Sequence, residues 1–120
     1  MHETWPRVQV GEPLTAILKA MTAGRLGMTS VMDGASLLGV ITDGDLRRAL
    51  AAAEQKALNP LSLTAAQIMT AKPASISEDA LAIEAAGDME ARKITFLMVA
   101  REGLPVGVLH IHDLLASKVL

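Results

Sequence analysis

The sequence predicts an α/β (α+β) fold made of two similar halves, each running strand, helix, strand, strand, helix. Three observations carry that expectation. The segment "GVITDGDLRRAL" (Gly39–Leu50) has a counterpart in "GVLHIHDLLASKVL" (Gly107–Leu120). Gly39-Val40 matches Gly107-Val108 and Asp45-Leu46 matches Asp113-Leu114, each pair 68 positions apart (39 to 107, 45 to 113), and Met21 and Met89 keep the same interval. Each half also alternates short apolar runs with one stretch at helical spacing. Finally, a chain of 120 residues suits one compact body, whereas half of it would bury too little surface alone. The halves are therefore expected to pack through their small sheets about a pseudo-twofold axis, leaving two related clefts for a ligand.

Within the first half, Arg7 to Val10 reads as a short strand, and Leu14, Ile17, Leu18 and Met21 mark a helix from Leu14 to Ala23. Met28 to Met32 and Leu38 to Thr42 are apolar runs on either side of the turn signal "DGAS", a hairpin pattern. A helix opens at Asp43 or Gly44 and runs to about Leu58, where Asn59-Pro60 stops it. In the second half, "TAAQIM" is a helical turn and Ala74 to Ile76 a strand. Ser77 is the expected N-cap of a helix from Ala80 to Ala91, with Glu78 and Asp79 in its first turn. Phe96 to Ala100 and Val106 to Ile111 form the second hairpin, and a last helix runs from His112 or Asp113 to Val119. "GMTSVMD" and "KITFLMVA" align only with a two-residue shift, which matches Thr29 with Thr95. The boundary between the halves is placed at 62/63, giving 1–62 and 63–120.

Composition narrows the function classes. Lys and Arg number 11 against 13 Asp and Glu, and Trp5 and Phe96 are the sole aromatics. A nucleic-acid surface would need a basic face and stacking rings, so none is expected. With no cysteine there is no thiol chemistry or disulfide framework. No signal pattern opens the chain and no apolar run is long enough to span a bilayer, so a cytoplasmic module without membrane contact is expected.

"LGMT", "TDGDLRR", "AAQIMT", "RKIT" and "GVLHIHDLL", in this order, make the chain resemble a tandem pair of cystathionine-β-synthase (CBS) domains, a Bateman module. More narrowly, it is similar to the C-terminal region of bacterial D-arabinose 5-phosphate isomerases. The resemblance implies an isolated, non-catalytic regulatory fragment, whose parent would carry the isomerase chemistry in a sugar-isomerase (SIS) domain. It implies a nucleotide or nucleotide-sugar ligand, with CMP-Kdo, the end product of the Kdo pathway in lipopolysaccharide synthesis, as first choice and an adenine nucleotide as the other. It also implies a homodimer formed through CBS pairs. The alternative is an oligomerisation module with no ligand.

Carried over to this sequence, the ribose-holding aspartate is Asp45, with Thr42 beside it, and Asp113 in the second half. His110 and His112 replace Thr42 and Gly44 there, so two unequal clefts are expected. Arg47 or Arg48 would meet a phosphate or carboxylate. Met28, Thr29, Met69, Thr70, Lys93, Ile94 and Thr95 complete the candidate ligand-binding set. The bland readings remain beside these: Asp43 as N-cap, Asp45 as a first-turn acid, the arginines simply balanced by them, and most methionines as core. An EF-hand fails because Arg47 and Arg48 fall where a ligand and a glycine are required. No catalytic residue, cofactor or metal is expected, since His110 and His112 lack a third strong ligand.

Overall fold

A computed structural model describes residues 2–80 and 82–116. The chain divides into two units, one of residues 6–72 and the other of residues 1–5 with 73–120.

In the first unit, strand β1 (Arg7–Gln9) leads into helix α1 (Leu14–Gly24), then β2 (Met28–Asp33), β3 (Ser36–Thr42) and helix α2 (Asp43–Gln55). A 3-10 turn at Pro60–Ser62, a short helix α3 (Ala65–Ile68) and a two-residue strand β4 (Thr70–Ala71) follow. The sheet order is β1-β2-β3-β4, with β1 parallel to β2 and the other pairs antiparallel. One face of α1 supplies Leu14, Ile17 and Met21 to a core that also holds Val8, Val31, Ile41, Leu46, Ala65 and Ile68. Apolar residues at helical spacing therefore meet one β-branched residue from each of β1, β2 and β3, as close packing requires.

The second unit repeats the plan with β5 (Ser75–Ser77), helix α4 (Ala82–Arg92), β6 (Phe96–Arg101), β7 (Leu104–His110) and helix α5 (Ile111–Ala116). Its sheet is β5-β6-β7, again parallel and then antiparallel. Ala85, Ala86, Met89 and Leu97 form its core. His2 bridges antiparallel to Val108, exchanging both backbone hydrogen bonds at 2.8 and 2.9 Å. The opening segment thus lies along β7 as β4 lies along β3.

Four expectations are corrected. The hairpin strands match without any shift: β2 and β6, β3 and β7, and α1 and α4 each begin 68 residues apart, and both hairpins are bulged at the same place. Thr29 therefore corresponds to Leu97 and not to Thr95; pairing across the hairpin fixes register, which a small-polar-then-apolar pattern leaves ambiguous. Helix α4 begins at Ala82 and not at Ala80, and Ser77 ends a strand instead of capping the helix. The Ser77 hydroxyl accepts from the Asp79 backbone in a local turn, and Glu78 pairs with Arg101. Helix α2 stops at Gln55 before Asn59-Pro60 is reached. Ala57 is left-handed at φ 54, with the Leu58 N–H on the Ala53 carbonyl and the Ala57 N–H on that of Glu54, a Schellman motif that ends the helix by itself. Finally, Thr42, not Asp43, is the N-cap of α2. The far end of the last expected helix, to Val119, lies outside the described residues.

The left-handed Ala57 yields a first prediction. An L-residue there bears a steric cost that glycine avoids, partly offset by glycine's larger loss of freedom on folding. Ala57→Gly is expected to stabilise by about 0.5–1 kcal/mol, raising Tm by about 2–4 °C. A lower Tm in a melting curve would contradict this account of the helix end.

Candidate functional site

The side chains that converge in the first unit surround Asp45. Thr42 ends β3 in extended backbone, and its hydroxyl accepts from the Asp45 backbone N–H at 3.3 Å. Asp45 reaches back: its Oδ2 accepts from the Thr42 backbone N–H at 2.9 Å and from the Thr42 hydroxyl at 3.0 Å. This is a capping box with aspartate in the place usually taken by Glu or Gln. The other oxygen, Oδ1, accepts from the Thr70 hydroxyl at 2.7 Å and from Arg48 Nη2 at 2.6 Å.

Asp45 is buried at 6 % exposure while the Arg48 side chain is 72 % exposed, so the carboxylate is fixed and its cation is free to leave. Burial works against ionisation of Asp45, but the bonds from Thr70, from the Thr42 backbone and hydroxyl and from Arg48 outweigh it and hold the carboxyl below its usual range.

Thr70 reaches Asp45 because β4 is seated on β3 with Thr70 opposite Val40. Gly39 permits that approach. A Cβ at Gly39 would stand 2.6 Å from the Thr70 carbonyl oxygen and 2.8 Å from Met69 Sδ.

The unfolded carboxyl titrates near pH ~4, so the stabilisation due to Asp45 is complete above that value and is lost as pH falls through the lower folded pKa. Thr70→Val removes one bond and is expected to cost about 1 kcal/mol at pH 7. The gap from the parent chain should narrow below about pH 4. Urea unfolding from pH 2.5 to 7 reads both; a gap that does not vary with pH would show that Thr70 does not act through the carboxylate.

The second unit repeats the cradle with different chemistry. Asp113 Oδ2 accepts from the His110 backbone N–H at 2.8 Å, as Asp45 does from Thr42. His2 Nε2 lies 3.1 Å from Asp113 Oδ1, where Thr70 stands in the first unit. A carboxylate only accepts, so Nε2 carries the proton. The rings of His110 and His112 stack at 4.7 Å, and the His112 backbone N–H donates to His110 Nδ1. His110 closes β7 and His112 lies in α5, and stacking brings the two rings together.

The remaining candidates are placed variously. Arg47 is exposed, with no ion pair among the described residues. Met28 and Thr29 are fully buried, and the Thr29 hydroxyl donates to the Ser30 carbonyl. Met69 packs against the first core. Lys93, left-handed at φ 55, and Ile94 line a cavity of about 330 Å³ with Ala86, Met89, Glu90 and Ile111, while Thr95 is exposed and its carbonyl accepts from the Ile111 N–H. Sequence reasoning missed His2. The signal was present: Met1-His2 precedes Met69-Thr70 by the same 68 positions (2 to 70).

Comparison with known proteins agrees with the repeat. The CBS domain family model matches residues 1–52 and again 65–119. The chain is 41% identical to arabinose 5-phosphate isomerase KdsD of Pseudomonas aeruginosa over 124 aligned positions, covering 100% of this chain and 37% of that protein. It spans about a third of the length of the curated relatives it matches. Among solved structures, a protein with CBS domains from Burkholderia ambifaria superposes with a TM-score of 0.84 at 23% identity, covering 98% of this chain and 84% of that one. The CBS domain protein PAE2072 from Pyrobaculum aerophilum, solved with AMP, gives 0.80 at 20% identity over 94% and 85%. No helix among the described residues is long and apolar enough to cross a membrane. With the family pattern matched twice along a two-unit chain, this protein belongs to the CBS-domain family, as a tandem pair.

Proposed function

We propose that the chain is a non-catalytic regulatory module that binds a nucleotide or nucleotide-sugar and controls an arabinose 5-phosphate isomerase, with CMP-Kdo as the effector. The observation that carries this reading is the buried Asp45 carboxylate, held ionised with an exposed, displaceable arginine on one of its oxygens. A ribose diol can replace the Thr70 hydroxyl and Arg48 on Oδ1, exchanging hydrogen bonds of similar strength. Arg48, once released, stands one helical turn from the start of α2 beside Arg47. Both guanidiniums then suit the phosphate and carboxylate of a sugar nucleotide better than lysines would. The similarity to KdsD supports an arabinose 5-phosphate isomerase as the parent enzyme, and the PAE2072 structure, solved with AMP, supports a nucleotide as the ligand. In this reading the parent's SIS domain is the partner through which the effector acts, in the cytoplasm, and regulation requires affinities that differ between two states of the parent by about 1–3 kcal/mol.

The rival, a ligand-free oligomerisation module, draws on exposed apolar side chains at Leu18 in α1, Leu50 in α2 and Ile83 in α4. Thermal unfolding against CMP-Kdo, CMP, AMP, ATP and S-adenosylmethionine separates the two. At a hundred times Kd a true ligand stabilises by about 2.7 kcal/mol, a shift of several degrees in Tm. A shift with CMP-Kdo beyond that with CMP identifies an end-product sensor, and one with adenine nucleotides alone replaces the effector. No shift with any of the five removes the sensor reading and leaves the oligomerisation module.

A further inference from the structure

The two cradles share a backbone plan but not a source of positive charge. In the first, the residues 47 and 48 that follow Asp45 are arginines; the residues at the same interval after Asp113 are Leu115 and Ala116. Among the described residues, the second cradle has imidazoles instead: His2 on Asp113 Oδ1, and His110 and His112 stacked beside it. His110 Nε2 and both ring nitrogens of His112 make no hydrogen bond among the described residues, so three ring positions are open to a ligand. We propose that His2, His110, His112 and Asp113 form an anion site of the phosphate or sulfate class, in which binding of the anion is coupled to uptake of protons by the imidazoles. The inference extends the reading of these aspartates as ligand-facing groups, and adds a proton as co-ligand at one of them.

Charge arithmetic gives the direction. Asp113 contributes one negative charge, so a single imidazolium only neutralises the cradle, and a second is needed before an anion is attracted. Burial first, and then the neighbouring His112, push the His110 pKa below its usual value, while Asp113 pulls it up and His2 adds to the lowering. Among the described residues no other charged group acts on it; β6 places the uncharged Phe96 opposite. Stacked imidazolium rings repel each other, and an anion beside both relieves that repulsion. Proton and anion therefore favour one another, and affinity rises as pH falls across the range in which histidine changes charge. The arginine-bearing cradle has no such dependence, because a guanidinium stays charged throughout.

Sulfate is the suitable probe, since its charge is constant over this range. The whole chain is titrated with sodium sulfate at fixed ionic strength, at pH 5.8 and pH 8.0, with amide and histidine ring signals followed by NMR. The expected result is saturable movement of the His2, His110 and His112 signals at pH 5.8, with Kd at least ~10-fold weaker at pH 8.0 for one proton taken up. His112→Gln and, separately, His2→Gln should raise the Kd at pH 5.8 to that at pH 8.0 while amide dispersion stays native. No saturable movement at pH 5.8, equal Kd at both pH values, or an unchanged Kd in both variants overturns the proposal. The nucleotide reading is tested apart from this: a failed nucleotide panel leaves the sulfate result standing, and a failed sulfate titration leaves Asp45 as a nucleotide contact.

Discussion

Asp45→Ala is expected to abolish ligand-dependent stabilisation in the first unit and to lower unfolding free energy by about 2–3 kcal/mol. The two effects have separate causes. Stability falls because the Thr42 backbone N–H loses its partner at the start of α2, and because Thr70 no longer ties β4 to the helix. The Arg48 contribution is smaller, since an exposed ion pair is worth about 0–1 kcal/mol. Binding falls because a charged acceptor for two hydroxyls has gone.

Asp45→Asn separates the causes. The amide keeps an oxygen for the Thr42 N–H and so part of the cap, but it loses the charge that makes bonds to a diol strong. Its expected profile is a modest loss of Tm with little ligand response. Chemical denaturation paired with the effector thermal shift reads both; full effector response in Asp45→Asn would remove the carboxylate from the ligand site. Sedimentation should show the association state unchanged in either variant, which keeps the oligomerisation reading independent.

Gly39→Ala is the second large effect. The added Cβ would meet the Thr70 carbonyl at 2.6 Å and Met69 Sδ at 2.8 Å. A thioether can turn aside, but the carbonyl is backbone, so β4 must move off β3. Overpacking of this kind costs about 1–3 kcal/mol. Because β4 carries Thr70, the same displacement removes one of the bonds on Asp45, and effector affinity should fall along with stability. Thr70→Val is the comparison: it removes the hydroxyl without moving the strand. A Gly39→Ala chain of parental Tm would show that β4 is not held at the described distance.

The candidate site was partly legible because its parts are local. Asp45 stands three residues from Thr42, and such a pair closes a box at a helix start whatever else the chain does. The recurrence of Asp45 as Asp113 singled both out. What was misread was also local, but ambiguous. Thr42, Asp43 and Gly44 can each begin a helix, and the choice of Thr42 is made where β3 releases the chain. Helix α2 ends at a left-handed alanine, a position that carries no glycine to announce it. The hairpin register was hidden for a similar reason, since shifted alignments satisfy the same apolar pattern and pairing with the neighbouring strand decides between them.

The sequence by itself determined the twofold repetition, the order of elements, the helix faces and the two aspartates, because each depends on periodicities or on residues within one turn of each other. Tertiary structure alone decided what completes each aspartate. Thr70 reaches Asp45 over 25 positions and His2 reaches Asp113 over 111. Thr70 arrives on the short strand β4 and His2 through a single β-bridge to β7; both are seated by pairing along a sheet edge, and no local propensity encodes that distance.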